Sequence, residues 1–145
     1  MNKNTFELAV QNHQKNNLQV AEKLYKKILK TNPNHASAHN NLGLIFYAYK
    51  DFQKARSYYQ KAIQFQPDYA DAHNNLGNVF KELGEHQKAK SCYQKTIEIQ
   101  PNYAGTHYNL GIVFKELGEH QKAIGCYKKT IQIQPNYVTA HNNLG

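Results

Sequence analysis

The sequence predicts an all-α solenoid, in which antiparallel helix hairpins of equal length stack along the chain. The first observation is the constant spacing of 34 residues between the four prolines, from Pro33 to Pro135. The second is internal similarity, because units 70–103 and 104–137 are identical at 26 of 34 positions. Units of this length bury their apolar faces only by stacking. We therefore predict one repeat domain over residues 1–145, made of units 2–35, 36–69, 70–103 and 104–137 and a partial fifth unit, 138–145.

Length and composition agree with a folded, water-exposed chain. The 145 residues are 40% hydrophobic and 19% charged, which is too apolar for a disordered chain and too polar for a membrane protein. No apolar run reaches about 18 residues, and the N-terminus lacks an apolar signal core. We therefore expect a cytoplasmic protein with no membrane contact. The net charge of +8 favours acidic partners.

Each unit is predicted to contain two helices, and its proline ends the second one. Between the two helices, Gly84 and Gly118 suit the left-handed conformation that ends a helix. Asn16 tolerates that conformation, whereas Lys50 is less suited to it. The second helices are predicted to begin near Gln19, Gln53, Gln87 and Gln121.

The residue that follows each proline carries a short polar side chain, which is predicted to cap the next helix. The predicted caps are Asn34, Asp68, Asn102 and Asn136.

Helical spacing places one apolar face and one polar face on each first helix. In unit 70–103 the predicted packing face includes Ala72, Leu76 and Phe80. When each unit is numbered from 1 at its first residue, positions 5 and 6 lie on the polar side. A glycine in the first helix lies opposite a recurring alanine and tyrosine of the second, so the backbones can approach closely and the tyrosine fills the space beside them. The tyrosines are Tyr25, Tyr59, Tyr93 and Tyr127, and the glycines are Gly43, Gly77 and Gly111.

This pattern resembles the tetratricopeptide repeat (TPR). Unit 70–103 carries it as Leu76-Gly77, Phe80, Ala89, Tyr93 and Pro101, and unit 2–35 carries it less completely. The resemblance implies a right-handed superhelix with the first helices on its concave side, where a peptide or partner protein binds. The HNNLG segments are similar in style to the repeat domain of O-linked N-acetylglucosamine transferases, in which inward asparagines contact peptide backbone.

The predicted peptide-binding residues follow from that resemblance and from asparagine chemistry. Each asparagine offers an acceptor and a donor, as a peptide backbone does. The alternative is that these asparagines are solvated or brace neighbouring units. The recurrent asparagines of position 6 are Asn41, Asn75, Asn109 and Asn143, and the residues expected to supply selectivity are Asn40, Asn74, Asn78, Tyr47, Tyr108, Lys81 and Lys115.

The recurrent histidines and the two cysteines are predicted to have structural roles. A histidine recurs at position 4, but equivalent residues in stacked hairpins lie too far apart to share one metal ion. We therefore predict structural histidines, no metal site and no cofactor. Cys92 and Cys126 are likewise predicted to be half-buried and not joined by a disulfide. The recurrent histidines are His39, His73, His107 and His141.

Three functions are compatible with these features, and none of them places catalysis in this chain. The first is a protein-interaction scaffold, and the second is a substrate-recruiting TPR segment of a larger enzyme such as a glycosyltransferase. The third is contact with nucleic acid or an acidic partner through the basic first unit, although a solvated face explains those lysines more simply. The sequence stops inside the fifth unit, which predicts a poorly covered Tyr127 and Ile131 and self-association through that end. Either the sequence is a piece of a longer chain, which we favour, or a partner covers the end. The basic residues are Lys23, Lys26, Lys27 and Lys30.

Overall fold

The computed structural model describes residues 3–144, and every regular element in that range is an α-helix. The second helices of the four hairpins all have 14 residues, which reflects the fixed length of the repeat. The helices are α1 (Lys3–Gln14), α2 (Leu18–Thr31), α3 (Ala36–Ala48), α4 (Phe52–Phe65), α5 (Ala70–Glu82), α6 (His86–Ile99), α7 (Ala104–Glu116), α8 (His120–Ile133) and α9 (Val138–Leu144).

The chain forms two compact units, one extending to Ala72 and the other beginning at His73. In the first unit α1 packs on α2, α2 on α3, and α3 on α4. In the second unit α6 packs on α7, α7 on α8, and α8 on α9. Within each unit, these successive helices are therefore neighbours in space, as stacked hairpins require. The predicted all-α solenoid is confirmed.

The predicted breaks between paired helices lie at residues with left-handed backbone. Gly84 and Gly118 have φ values of 75° and 79°, and Asn16 and Lys50 both have φ of 62°. The second helices begin one residue before the predicted glutamines. Lys50 therefore adopts a conformation that a side chain with a Cβ disfavours.

The predicted helix caps are wrong by one residue. Each following first helix begins two residues after the predicted cap, so the capping position belongs to the next residue along. Before α3 that residue is His35, whose Nδ1 accepts from the backbone N–H of Ala38 at 3.1 Å. Before α7 it is Tyr103, which makes no side-chain capping bond. The turn that follows each proline is therefore one residue longer than the predicted caps imply.

In three of the four hairpins the core is a tyrosine ring packed on a glycine, and the equivalent position of the first hairpin is Ala9. A Cβ built on Gly77 would lie 2.6 Å from Cε1 of Tyr93, and one built on Gly111 would lie 2.6 Å from Cε1 of Tyr127. In the first unit the Tyr59 ring occupies the same place against Gly43. The predicted close approach of paired helices is therefore confirmed.

The predicted exposure of Tyr127 is wrong, because only 2% of its surface is exposed. Its ring packs on Gly111 within its own hairpin and beside Tyr108, with ring centroids 5.8 Å apart. Ile131 is half-buried.

The recurrent histidines hold the turn that precedes their helix. Nε2 of His39 donates to the Pro33 carbonyl oxygen at 2.8 Å, and Nε2 of His107 donates to the Pro101 oxygen at 2.8 Å. His141 makes the equivalent bond to Pro135 at 2.7 Å. Since a carbonyl oxygen only accepts, the proton must lie on Nε2. The predicted structural role is confirmed for these three histidines.

Candidate functional site

The predicted asparagines of the second unit form a connected polar row. Nδ2 of Asn109 donates to Oδ1 of Asn78 at 3.2 Å, and Oδ1 of Asn109 accepts from Nζ of Lys81 at 3.3 Å. The hydroxyl of Tyr93 also donates to Oδ1 of Asn78, at 2.6 Å. These bonds link α5 to α7 and fix which way each amide points. Asn78 and Asn109 remain half-buried rather than enclosed.

The row continues from α7 to α9. Nδ2 of Asn143 donates to the hydroxyl of Tyr108 at 3.3 Å, between residues 35 apart in sequence. The Tyr108 ring packs against Tyr137, with centroids 5.2 Å apart, and against Tyr127, at 5.8 Å. Tyr108 therefore has an anchored ring and a hydroxyl that reaches the next first helix.

The first unit contains the same kind of bond. Nδ2 of Asn41 donates to the hydroxyl of Tyr25 at 3.2 Å, and Nδ1 of His13 lies 3.2 Å from that hydroxyl. Tyr47 packs edge-on against Phe52 with centroids 5.3 Å apart. Asn41 thus braces its helix against the preceding repeat, which is the alternative that the sequence left open.

The remaining predicted residues differ in accessibility. Asn40 and Asn74 were expected on the polar side, but they are only 4% and 7% exposed. For Asn74 the reason is Thr106 of the next first helix, whose hydroxyl donates to its Oδ1 at 2.6 Å. Because Asn40 and Asn74 are buried, any contribution that they make to selectivity is indirect.

Two lysines and one further asparagine complete the set. Lys81 is half-buried, and desolvation lowers the pKa of its ammonium group below the usual 10.5. Lys115, the equivalent residue of the next repeat, is exposed. Asn75 is half-buried. The ammonium group of Lys81 is held beside Asn109 by its 3.3 Å bond to Oδ1.

Tyrosine hydroxyls are functional partners that the sequence reasoning missed. Tyr93 and Tyr25 were predicted to fill space, yet each also holds an asparagine through its hydroxyl group. The signal was available, because buried tyrosine hydroxyls usually have a hydrogen-bond partner. What the sequence does not show is which asparagine each hydroxyl reaches.

The row still has capacity for a ligand. An asparagine amide has two N–H donors and two acceptor lone pairs on its oxygen. Asn109 uses one donor and one lone pair within the protein, so one of each is left on a half-exposed group. An amide whose orientation is fixed in advance loses little entropy when it binds. The geometry suits pairing with a peptide backbone.

Among the residues that the structure describes, no three histidine, cysteine or acidic side chains lie close enough together to hold a metal ion. Within residues 3–144, none of the helices combines the length and apolar character needed to cross a bilayer.

Stacked hairpins with a polar row along the first helices define a helical-repeat protein of the solenoid class. Three family profiles then match: tetratricopeptide repeat over residues 68–136, TPR repeat over 45–84, and tetratricopeptide repeat over 24–57. The chain belongs to the tetratricopeptide repeat family. No curated protein is similar enough to match it.

Solved structures agree with this assignment. A crystal structure of MamA is similar at 30% identity with a TM-score of 0.86, over 94% of this chain and 80% of that one. A second crystal structure of the MamA protein has 29% identity and the same TM-score, over 97% and 76%. The APC/C hetero-tetramer Cut9-Hcn1 has 20% identity and a TM-score of 0.88, over 97% of this chain and 28% of that one. At that identity the likeness shows the fold alone.

Proposed function

We propose that this chain is a protein-interaction scaffold whose second unit binds an extended segment of a partner protein along α5, α7 and α9. The observation that carries the proposal is the oriented bond series from Lys81 through Asn109 to Asn78. It leaves unused donors and acceptors on half-exposed amides, at the edge where successive first helices meet. Membership of the tetratricopeptide repeat family supports a protein partner.

The proposed contacts divide into two kinds. Asn75, Asn109 and Asn143 pair with backbone amides and carbonyls of the bound segment, and this pairing is independent of its side chains. Lys81 and Lys115 attract acidic side chains through their ammonium groups. Tyr108 offers the edge of an anchored ring to an apolar side chain. In the first unit, Asn41 and Tyr47 are proposed to act in the same way on their own part of a partner.

Backbone recognition is tested with a peptide selected from a display library of linear peptides. We expect replacement of the peptide's side chains by alanine to change affinity less than methylation of its backbone nitrogens. Methylation removes the donors that the asparagine oxygens require, and each lost hydrogen bond is worth about 0.5–1.5 kcal/mol. That corresponds to roughly a two- to tenfold loss per bond, measured by titration calorimetry. A peptide whose methylated form binds equally well contradicts backbone pairing.

Variants of the protein locate the surface. We expect Asn75→Ala, Asn109→Ala and Asn143→Ala each to weaken the selected peptide, whereas Gln132→Ala, at an exposed position of α8, leaves affinity unchanged. Circular dichroism of each variant confirms that the helices are retained. Equal affinities for the three asparagine variants and the Gln132 control would place the peptide elsewhere.

A further inference from the structure

An open cavity of about 470 Å³ lies on the first unit, between α2, α3 and α4. Its apolar wall includes Leu29, Pro33 and Phe65, and three lysines surround it: Lys26, Lys30 and Lys61. The first helices carry the asparagine row, whereas this cavity is built mainly by the second helices α2 and α4. It is therefore separate from the surface described above.

The aromatic rings of the cavity are held by other rings of the protein. Phe65 stacks on His39 with centroids 5.5 Å apart, and Tyr58 stacks on Phe46 at 5.5 Å with planes 7° apart. Nζ of Lys61 lies 5.7 Å from the centre of the Tyr58 ring. His39 is only 5% exposed and is fixed by its bond to the Pro33 oxygen. The wall is preformed, and Phe65 still exposes 37% of its surface at the cavity.

The surroundings of the cavity are strongly basic. Helix α2 carries four lysines and one acidic residue, Glu22, which pairs with Lys26 at 2.6 Å. Helix α4 carries Lys54, Arg56 and Lys61 and no acidic residue. An apolar wall inside a ring of positive charge is complementary to a ligand that is both apolar and acidic.

The same place in the second unit shows that these residues are not needed for packing. The equivalents lie 68 residues further on, where Pro101 and His107 keep the same 2.8 Å bond. Of the three lysines around the cavity, only Lys61 has a lysine at the equivalent position, Lys129. At the positions equivalent to Lys26 and Lys30, the second unit has Gln94 and Glu98. At the positions equivalent to Tyr58 and Phe65, it has Cys126 and Ile133.

We propose that the cavity of the first unit is a second interaction site, which takes an acidic peptide segment bearing one aromatic side chain. The aromatic side chain lies against Phe65 and Leu29, and flanking carboxylates pair with Lys26, Lys30 and Lys61. The volume lies within the range of about 300–1,000 Å³ typical of ligand pockets. A peptide fits better than nucleic acid, because the cavity wall also contains the aliphatic Leu29 and Pro33, which offer no stacking platform to a base.

The first experiment compares ligands on the whole, isotope-labelled chain by NMR titration. The probe is a synthetic peptide of glutamates with one central phenylalanine. We expect it to shift the signals of His39, Tyr58 and Phe65, and we expect replacement of its phenylalanine by alanine, or of its glutamates by glutamine, to weaken binding on the order of tenfold. An oligouridylate of equal charge is the comparison. Preferential binding of the oligouridylate to these residues, or no shift with the peptide, overturns the proposal.

The second experiment uses the chain's own alternative residues, which the repeat is known to accommodate. We expect Phe65→Ile and Lys30→Glu, the residues found at Ile133 and Glu98, each to weaken the glutamate–phenylalanine peptide on the order of tenfold. Lys128→Glu makes the same charge change at an exposed position of α8 and is the matched control, with affinity expected to change less than twofold. Equal losses for Lys30→Glu and Lys128→Glu show attraction to net charge alone and overturn the proposal.

Discussion

Replacement of Gly77 by alanine tests the central packing feature of the hairpins. An added Cβ would lie 2.6 Å from Cε1 and 2.8 Å from Cδ1 of Tyr93. To restore ordinary contact at 3.4 Å, the ring must move by about 0.8 Å (3.4 minus 2.6). Tyr93 is fully buried and its hydroxyl donates to Asn78 at 2.6 Å, so it cannot move without disturbing both its packing and that bond.

The expected cost follows from three contributions. Overpacking a core site costs about 1–3 kcal/mol, and weakening the bond between Tyr93 and Asn78 costs about 0.5–1.5 kcal/mol. Alanine in place of glycine inside a helix returns roughly 1 kcal/mol. We therefore expect Gly77→Ala to lower the free energy of unfolding by about 0.5–3.5 kcal/mol, despite its better helix propensity.

The chain contains a matched control for this change. Gly125 lies in α8, and an added Cβ there meets no atom within 4 Å, so Gly125→Ala should raise the free energy of unfolding by about 0.5–1 kcal/mol. Both variants are measured by urea unfolding followed by circular dichroism at 222 nm, the usual helix wavelength. A Gly77→Ala protein as stable as the Gly125→Ala protein would refute the idea that the tyrosine rests on the glycine.

The remaining predictions concern backbone strain, pH and thiol reactivity. Lys50→Gly should stabilise the chain by about 1 kcal/mol in urea unfolding, because φ is 62° there; Gly84→Lys, at the equivalent break, should destabilise it by a similar amount. Burial lowers the pKa of His39 below 6.5. The contribution of His39 to stability is therefore complete above pH 6.5 and is lost as pH falls through the lowered pKa. On acidification, the thermal unfolding temperature should decline less for His39→Gln than for the unchanged chain. Burial raises the pKa of Cys92 and Cys126 to about 11, so iodoacetamide should modify both more slowly in the folded protein than in urea at neutral pH.

The fold was predictable because its strongest signals are local and repeated. Each proline stops a helix by steric exclusion, whatever surrounds it, and Gly84 and Gly118 favour the left-handed turn on their own. The pairing of Gly77 with Tyr93 was also predictable, since a glycine and a tyrosine recur at this offset in three of the four hairpins. Lys50 shows that the repeat imposes its backbone even on an unfavourable residue.

The polar row was only partly predictable, because its details depend on side chains from neighbouring repeats. Position 6 was identified, but not that Asn109 bonds to Asn78, 31 residues away. Nothing in the local sequence of Asn74 indicates burial, which results from Thr106 approaching across the repeat. The cap at His35 was missed for a similar reason, because a one-residue extension of the turn is decided by how the chain meets the next helix.

Comparison of the repeats separates side chains that maintain the stack from side chains that are free to recognise a partner. The core tyrosine is retained in all four hairpins and its glycine partner in three of them. The histidine bonded to the proline turn is present at His39, His107 and His141. Each of these residues fills a space that the fold fixes. By contrast, Phe65 and Lys30 become isoleucine and glutamate at the equivalent positions, while the bond from histidine to proline keeps its length. The hairpin geometry therefore does not determine these surface residues. Differences between repeats of one chain identify candidate binding residues where the packing pattern cannot.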